Sequence, residues 1–161
     1  MTRTDENAAT RYRLTGPGTA SFRDPSVRLE GGPAEVVVSA GTVRFLAAPG
    51  SYVKLAAGNR GVRGVGPFDL TFTDGGIRGT VAGPTRSLVV TWPADIVRPM
   101  FTMDGVRYCA GWADDHSIGK GTDTPQLAIG FGVTAGEHTI AISEWTYPDL
   151  PPEPARREIQ F

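Results

Sequence analysis

Hydrophobic and polar residues alternate along much of this chain with a period of two. Phe68, Leu70 and Phe72 are separated by polar residues, and residues 127–133 and 139–143 alternate in the same way. Successive side chains of a β-strand point to opposite faces of its sheet, so this pattern predicts strands with one buried face. Weaker runs of the same kind predict further strands at residues 12–15, 20–23, 26–30, 34–39, 42–47, 52–56, 76–81, 87–92, 99–104 and 106–111.

Glycine and proline interrupt the chain too often for a helix. The 21 glycines and 13 prolines leave no capped run with helical periodicity. Turn-forming pairs such as Asp104-Gly105 and Ala135-Gly136 instead separate the predicted strands. Many short strands at this spacing are typical of an all-β fold, and we expect an antiparallel two-sheet β-sandwich that is jelly-roll-like.

The length of 161 residues fits one domain with a sizeable core. Residues 1–9 are polar and are expected to form a flexible N-terminal tail. Residues 10–146 carry the strand pattern and should form the β-sandwich domain. Residues 147–161 contain a proline-rich stretch, which we expect to be an extended C-terminal tail or an edge strand.

The composition is that of an ordinary globular protein and argues against several functional classes. Hydrophobic residues make up 40% and charged residues 20%, with a formal net charge of −1. A nucleic-acid-binding domain normally carries a basic excess, so we expect no nucleic-acid partner. The chain has no long apolar run and its N-terminus lacks an apolar signal-peptide segment. We therefore expect a soluble chain without a membrane partner, in a compartment that the sequence does not specify.

One long polar segment, residues 111–124, is the strongest candidate for ligand binding. Loops of this length in compact domains are often functional. Trp112 could present its ring to the apolar face of a sugar, and Tyr108 shares the strand parity of Trp112. Planar and charged groups for the sugar hydroxyls would come from Asp114, Asp115, His116 and Lys120. The alternative is a solvated loop whose tryptophan packs onto the edge of the sandwich.

Other chemistry fits this loop less well. Asp114, Asp115 and His116 are metal-ligand types, but adjacent side chains of an extended chain diverge, and we expect neither a metal nor a cofactor. The run around Lys120 lacks the glycine spacing and the following helix of a phosphate-binding loop. Glycoside hydrolysis needs two carboxylates at a defined separation, and nothing in the sequence pairs the available ones, so no catalytic residue is assigned.

Three further features have simple structural interpretations. Asp104 is the first residue of a predicted Asp-Gly hairpin turn. His138 has the strand parity of Ile140, which indicates a histidine at the rim of the core, bonded to a backbone carbonyl, rather than a ligand. The glycines at residues 58–66 indicate a flexible loop, with a backbone anion cradle beside Arg60 as the alternative.

The segment MDGVRYCAGWADD, followed by the closing strand TAGEHTIAISEW, resembles the ancillary β-sandwich domains of carbohydrate-active enzymes. Those domains often present a DG hairpin and a last strand that opens with Gly-x-His-x-Ile/Val. The resemblance covers residues 98–145 and implies sugar binding, or support of a neighbouring catalytic domain. It transfers no catalytic residue to this chain.

Three functions follow as hypotheses. The first, which we favour, is a non-catalytic carbohydrate-binding or accessory module that contacts a glycan or a neighbouring catalytic domain through residues 108–120. The second is a structural protein, such as a capsid, appendage or oligomer component, that self-associates through an edge strand or the C-terminal tail. The third is a small carbohydrate-active hydrolase, lyase or isomerase that uses Asp114, Asp115 and His116.

Overall fold

A computed structural model describes residues 1–22, 27–84, 86–93, 99–108 and 126–144. These residues form fifteen β-strands and no helix. The strands are β1 (Thr2–Glu6), β2 (Ala9–Leu14), β3 (Gly18–Phe22), β4 (Val27–Gly31), β5 (Ala34–Ser39), β6 (Thr42–Ala47), β7 (Tyr52–Ala57), β8 (Arg60–Val65), β9 (Phe68–Thr73), β10 (Gly76–Gly83), β11 (Arg86–Pro93), β12 (Pro99–Met103), β13 (Val106–Tyr108), β14 (Gln126–Val133) and β15 (Gly136–Glu144).

The strands form two antiparallel sheets. The nine-stranded sheet has the order β1-β2-β5-β6-β9-β10-β15-β12-β13, and the six-stranded sheet has the order β14-β11-β8-β7-β4-β3. From β1 to β10, consecutive hairpins belong to alternate sheets, so that each hairpin lies beside the previous hairpin of its own sheet. The expected all-β, two-sheet antiparallel sandwich is confirmed.

The last four connections of the chain cross between the two sheets, except for the hairpin that joins β12 and β13. β15 returns between β10 and β12 in the nine-stranded sheet, while β14 lies beside β11 in the six-stranded sheet. The chain therefore crosses between the sheets after β10, β11, β13 and β14. A late strand thus lies between two earlier strands of the nine-stranded sheet.

The core lies between the sheets and follows the alternation of the sequence. In β9, Phe68, Leu70 and Phe72 are buried, while the residues between them are partly exposed. Between the sheets, the rings of Phe101 and Phe131 stack with their centroids 4.2 Å apart. Burying one such side chain stabilises the fold by about 1.5–3 kcal/mol, so the paired inner faces supply the main driving force for folding.

The N-terminal segment is a strand rather than a tail. Residues 2–6, which we expected to be flexible, form β1 and pair with β2 at the edge of the nine-stranded sheet. The Asp5 carboxylate accepts hydrogen bonds from Arg3 at 3.2 Å and from the Thr10 hydroxyl at 2.9 Å. Both faces of β1 are exposed, so its sequence has no apolar alternation. Backbone pairing and these polar contacts hold the strand in place.

The expectation of a loop at residues 58–66 is wrong. Most of this segment forms β8, which lies between β7 and β11 in the middle of the six-stranded sheet. An added Cβ at Gly64 would lie 3.1 Å from the ring of Phe68 and 3.3 Å from the side chain of Leu88. The glycine therefore marks close packing against the opposite sheet, and it removes the side chain on which an alternation pattern depends.

The strands from β2 to β15 extend over residues 9–144, close to the bounds predicted for the β-sandwich domain. Residues 145–161, which include the predicted C-terminal tail, lie outside the described residues, as does the lone cysteine, Cys109. In the ranges that the structure describes, no helix is long and apolar enough to cross a membrane.

Candidate functional site

Most residues chosen from the sequence lie outside the described structure. Tyr108 is the last residue of β13, and its backbone lies opposite Phe101 of β12. Residues 109–125 are not described, and they include the other five candidates: Trp112, Asp114, Asp115, His116 and Lys120. The sugar-binding loop predicted there stays a prediction.

The strands that flank this segment reach the same end of the sandwich. Tyr108 ends β13 opposite Phe101, near the start of β12, and Gln126 begins β14 opposite Pro93, the last residue of β11. β11 and β15 end here, and β8 begins here with Arg60. We call this the Arg60 end of the molecule.

A cleft of about 500 Å³, which we call the end cleft, opens at the Arg60 end. It is bounded by the turns between β5 and β6, between β7 and β8, and between β9 and β10. Because the middle turn belongs to the six-stranded sheet and the others to the nine-stranded sheet, the cleft lies between the two sheets. Its volume is in the usual range of small-molecule sites. The lining residues are Ser39, Ala40, Gly41, Thr42, Val43, Ala57, Gly58, Asn59, Arg60, Phe72, Thr73 and Asp74.

Two glycine turns keep the mouth of the end cleft open. Gly41 and Gly58 have φ angles of 71° and 61°, in the left-handed region that glycine adopts without strain. A Cβ added at either position would meet no atom within 4 Å, so both turns face open space. Backbone amide and carbonyl groups of these turns are therefore accessible beside the cleft.

Arg60 forms one wall of the end cleft and joins the ends of several strands. Its guanidinium donates hydrogen bonds to the carbonyl oxygens of Thr73 and Asp74 at 2.9 and 2.8 Å, and to the Glu144 carboxylate at 2.7 Å. The same group lies 4.6 Å from the centre of the Trp92 ring. A planar guanidinium can make all of these contacts at once, whereas a lysine ammonium cannot. Because only 13% of the Arg60 side chain is exposed, this wall is held rigidly.

Two buried N–H donors beside this wall have no hydrogen-bond partner within the described residues. They are Nε of Arg60 and Nε1 of Trp92. Trp92 is fully buried, as its strand parity with Leu88 and Val90 predicts. Buried donors are normally paired, and each unpaired one costs about 1–3 kcal/mol. A water molecule or a ligand oxygen that reached this corner of the site would therefore be stabilised.

The charges in the lining of the end cleft balance. Arg60 and Asp74 are the two charged residues of the lining, and Arg60 is paired with Glu144 just outside it. A balanced lining favours a neutral polar ligand over an ion. Among the described residues the lining supplies one carboxylate, whereas glycoside hydrolysis requires two. Across the described part of the chain, no group of three His, Cys, Asp or Glu side chains could hold a metal ion.

Polar groups in the end cleft surround an apolar floor. Asn59 adds an exposed amide, and the Ser39 and Thr42 hydroxyls, which by strand alternation lie on the outer face of the nine-stranded sheet, share a hydrogen bond of 2.6 Å at the edge of the cleft. Val43 and Phe72 are buried beneath them. A sugar presents hydroxyls at its rim and C–H groups on its faces, so a polar rim over an apolar floor matches its surface.

A second polar cluster lies at the opposite end of the sandwich, where the β12–β13 and β14–β15 turns meet. The Nδ1 atom of His138 lies 2.7 Å from an Asp104 carboxylate oxygen. Its Nε2 atom lies 3.1 Å from the Thr134 hydroxyl and 3.3 Å from the Ala135 carbonyl oxygen. The other Asp104 oxygen accepts a hydrogen bond from the Thr139 amide at 2.9 Å.

These contacts favour the charged forms of His138 and Asp104. The hydrogen bond to Asp104 raises the pKa of His138, and the hydrogen bonds from His138 and the Thr139 amide lower the pKa of Asp104. The order of carboxylate, imidazole and hydroxyl resembles a catalytic triad. The contacts of His138 join the β12–β13 turn to the β14–β15 turn, so this cluster acts as a clamp between the two turns.

The structure confirms the interpretations of Asp104 as a turn residue and of His138 as a rim residue, and it shows that the two side chains contact each other. Asp104 and Gly105 occupy the β12–β13 turn with φ angles of 52° and 77°, as a tight Asp-Gly turn requires. His138 is a rim residue near a backbone carbonyl, that of Ala135. Its contact with Asp104 was missed because the two residues are 34 positions apart in the sequence.

The end cleft was also missed by sequence reasoning. Its walls come from three turns that are distant in the chain, near Gly41, Gly58 and Asp74. The glycine turns themselves were recognisable, but their convergence depends on the alternation of hairpins between sheets. Arg60 was considered only as part of an anion cradle in a loop, because β8 was not recognised as a strand.

Comparison with known proteins does not assign a function to this chain. No protein-family model, no curated protein and no solved structure matches the chain. The resemblance of residues 98–145 to ancillary domains of carbohydrate-active enzymes therefore stays a prediction. Function has to be inferred from the end cleft and from the surfaces around it.

Proposed function

We propose that this protein is a non-catalytic carbohydrate-binding or accessory module and that a neutral glycan binds in the end cleft. The observation that carries the proposal is the cleft itself. It has a volume of about 500 Å³, a balanced pair of charges and a polar rim over an apolar floor. Among the described residues the lining supplies a single carboxylate, that of Asp74, so these residues do not by themselves form the carboxylate pair of a glycosidase.

The rigidity of the site supports this function. Arg60 is fixed by three hydrogen bonds and by the ring of Trp92, so one wall is ordered before a ligand arrives. A preformed wall reduces the entropy that binding must overcome. Weak sites of this kind bind sugars with dissociation constants from about millimolar to micromolar, which corresponds to roughly −4 to −8 kcal/mol.

The position of the predicted loop also supports this function. Tyr108 and Gln126, which flank the undescribed residues 109–125, both lie toward the Arg60 end. Both points at which that segment joins the sandwich therefore lie at the same end of the molecule as the cleft. We propose that Trp112, Asp114, Asp115, His116 and Lys120 contribute to the same binding site.

Titration with a panel of neutral monosaccharides and oligosaccharides, followed by amide chemical shifts in NMR spectra, tests the proposal. Asn59→Ala and Asp74→Ala should each weaken binding by about fivefold to tenfold, because each removes hydrogen-bonding groups from the cleft. Ser87→Ala is the matched control, since Ser87 is exposed on the outer face of the six-stranded sheet. Its affinity should equal that of the wild type.

The same titration separates the cleft from the predicted loop. If Trp112→Ala binds as well as the wild type, the loop does not belong to the site. If neither cleft variant weakens binding, the end cleft is not the site. A panel in which nothing binds more tightly than about 10 mM would remove carbohydrate binding as the function.

The open sheet edges favour assembly as a second candidate function. β1 and β13 are the outermost strands of the nine-stranded sheet, and β3 and β14 those of the six-stranded sheet. Val106 on the edge strand β13 is 57% exposed. An unpaired strand edge is a template for pairing with another chain. Light scattering that finds only monomers, both for the full chain and for a chain ending at residue 146, would exclude assembly.

A further inference from the structure

A row of arginines crosses the nine-stranded sheet at right angles to its strands. Following the pairing register from Thr4 on β1 to β13, one line of residues carries four arginines and no acidic residue. These residues lie on the second, fourth, sixth and ninth strands of the sheet. We call them the arginine row: Arg11, Arg44, Arg78 and Arg107.

The arginine row lies on the outer face of the sheet. Val43 and Ile77, which precede Arg44 and Arg78 on their strands, are buried in the core. Successive residues of a strand point to opposite faces, so the two arginines point away from the core. Arg44, Arg78 and Arg107 are all exposed.

The arginines of the row are spaced by the strands themselves. Neighbouring strands lie about 4.8 Å apart, so arginines two strands apart are separated by about 10 Å, and the whole row spans about 34 Å. Thr71, Ala141 and Thr102 occupy positions between them on the same line. These side chains, like that of Val37 between Arg11 and Arg44, are shorter than arginine, so a polymer that follows the line meets the guanidinium groups one after another.

Among the described residues, two arginines of the row form ion pairs within the protein and two do not. The two members of the row nearest β1 form ion pairs with Glu35 and Asp69, at 3.4 and 2.6 Å. In the parts of the chain that the structure describes, the side chains of Arg78 and Arg107 have no ion pair or hydrogen bond. A guanidinium without a carboxylate partner can form bidentate hydrogen bonds with a carboxylate or sulfate group from outside.

The row ends at β1 in a hollow of about 220 Å³. Thr2, Thr4, Arg11 and Arg13 line the hollow. Glu35 lies 3.4 Å from Arg11 and 3.0 Å from Arg13, so these three side chains carry one net positive charge. Two hydroxyls and two guanidinium groups around this volume suit a single carboxylate or sulfate group.

We propose that the arginine row binds an acidic polysaccharide that lies across the strands, with its anionic groups on the arginines. An extended hexose chain advances by about one strand spacing per sugar ring, so arginines two strands apart face every second ring. The threonine hydroxyls between them can bond to the sugar hydroxyls. This binding surface lies outside the end cleft and does not depend on the function proposed above.

The row fits a narrow polymer better than a broad anionic surface. Glu35 and Asp69 lie on the next line of outward-facing residues, about 7 Å away along the strands. A nucleic-acid duplex or a membrane surface would meet these carboxylates as well and would be repelled by them. Single-stranded nucleic acid is held by stacking of its bases on aromatic rings, and no residue of the row is aromatic.

Calorimetric titration with polygalacturonate tests the proposal. The wild type should bind this polymer and should not bind its fully methyl-esterified form, which has the same backbone without charge. Arg78→Gln and Arg107→Gln should each weaken binding by about fivefold, and the double variant by about 25-fold. Arg28→Gln is the matched control, because Arg28 is exposed on the outer face of the six-stranded sheet and has no ion pair among the described residues.

Four results would overturn the assignment. They are no binding at low salt, equal binding of the methyl ester, an equal loss of affinity in Arg28→Gln, and tighter binding of oligothymidylate or phosphatidylserine vesicles than of polygalacturonate. The last result would identify the surface as a site for nucleic acid or membrane instead.

The variants also separate this proposal from carbohydrate binding in the end cleft. All substituted side chains are exposed, so the midpoint of urea unfolding should match that of the wild type. Neutral glycans should bind the Arg78→Gln, Arg107→Gln double variant as they bind the wild type. If no neutral glycan binds while polygalacturonate does, the end-cleft function fails and the arginine row stands.

Discussion

Arg60 and His138 fasten opposite ends of the sandwich by different means. Arg60 donates to two backbone carbonyls and one carboxylate at the end that holds the cleft. His138 joins the β12–β13 turn to the β14–β15 turn through Asp104. An arginine stays charged at all ordinary pH values, whereas an imidazole titrates near neutrality. The stability that the His138 end contributes should therefore depend on pH.

The His138–Asp104 pair should stabilise the fold most at mildly acidic pH. The pKa of His138 is raised in the folded state, so its contribution is complete below the ordinary histidine value of about 6.5 and disappears as pH rises through the raised pKa. The pKa of Asp104 is lowered, so its contribution is complete above its ordinary value of about 3.9 and disappears as pH falls through the lowered pKa. The free-energy difference between wild type and His138→Gln should be larger at pH 5 than at pH 8 in urea unfolding.

Asp104→Asn is the control for this pH dependence. Asparagine tolerates the left-handed conformation of the turn, so the substitution removes the charge and keeps the backbone. It should reduce the pH dependence of unfolding as His138→Gln does. If the free energy of unfolding of the Asp104→Asn protein changes between pH 5 and pH 8 as much as that of the wild type, the His138–Asp104 pair is not the source of the pH dependence.

At the scale of elements, glycines allow strands to form where other side chains would collide. Gly79 lies in the middle of β10 with a φ angle of 154°. An added Cβ there would lie 1.8 Å from the carbonyl oxygen of Asp69 on β9. Glycine thus allows β9 and β10 to approach at this point, and it interrupts the side-chain pattern by which a strand is recognised.

Gly79→Ala should destabilise the protein by about 3 kcal/mol or more, because the new methyl group meets backbone rather than a movable side chain. Gly132→Ala on β14 is the matched control, since an added Cβ there meets no atom within 4 Å. Its midpoint of urea unfolding should stay close to that of the wild type. Equal midpoints for both variants would contradict the close approach of β9 and β10.

At the scale of the whole molecule, the two proposed binding surfaces are neighbours. Thr71 on the line of the arginine row and Thr73 in the lining of the end cleft are two residues apart on β9. The row lies on the outer face of the nine-stranded sheet, and the cleft lies between the sheets at their end. A single extended glycan can therefore contact both, although the chemistry of the two surfaces differs.

Salt should distinguish the two surfaces. Raising the salt concentration from about 50 to 200 mM should weaken polygalacturonate binding by about tenfold or more, because several charged contacts release counterions. Binding of neutral glycans in the end cleft should change less than about twofold, since it relies on uncharged hydrogen bonds. Equal salt dependence for the two ligands would contradict the separation of a charged row from a neutral cleft.

Local pattern was enough for the fold class but not for all of its strands. The alternation at Phe68, Leu70 and Phe72 identified β9, and the Asp104-Gly105 pair identified a hairpin turn. β1 was missed because neither of its faces is buried. β8 was missed because its glycines replace the side chains that would have shown the pattern. Sequence alternation thus finds a strand only when one face is buried under side chains.

The candidate sites could be predicted only in part, because their residues are distant in the chain. Residues 109–125 attracted attention through their composition, and whether they bind a sugar stays a prediction. Nothing near Asn59 or Asp74 in the sequence shows that the two residues line one cleft. Arg44 and Arg78 read as scattered charges until the strand register aligns them on one line across the sheet.

The sequence by itself determined that the protein is an all-β sandwich and that alternating side chains such as Phe68, Leu70 and Phe72 face its core. Alternation and turn residues are local properties, and the hydrophobic effect acts on each strand wherever that strand lies. The tertiary structure alone decided the order and register of the strands. Strand order brings three distant turns around the end cleft, and register places Arg11, Arg44, Arg78 and Arg107 in one row. Both depend on pairing between segments far apart in the chain, which local patterns do not encode.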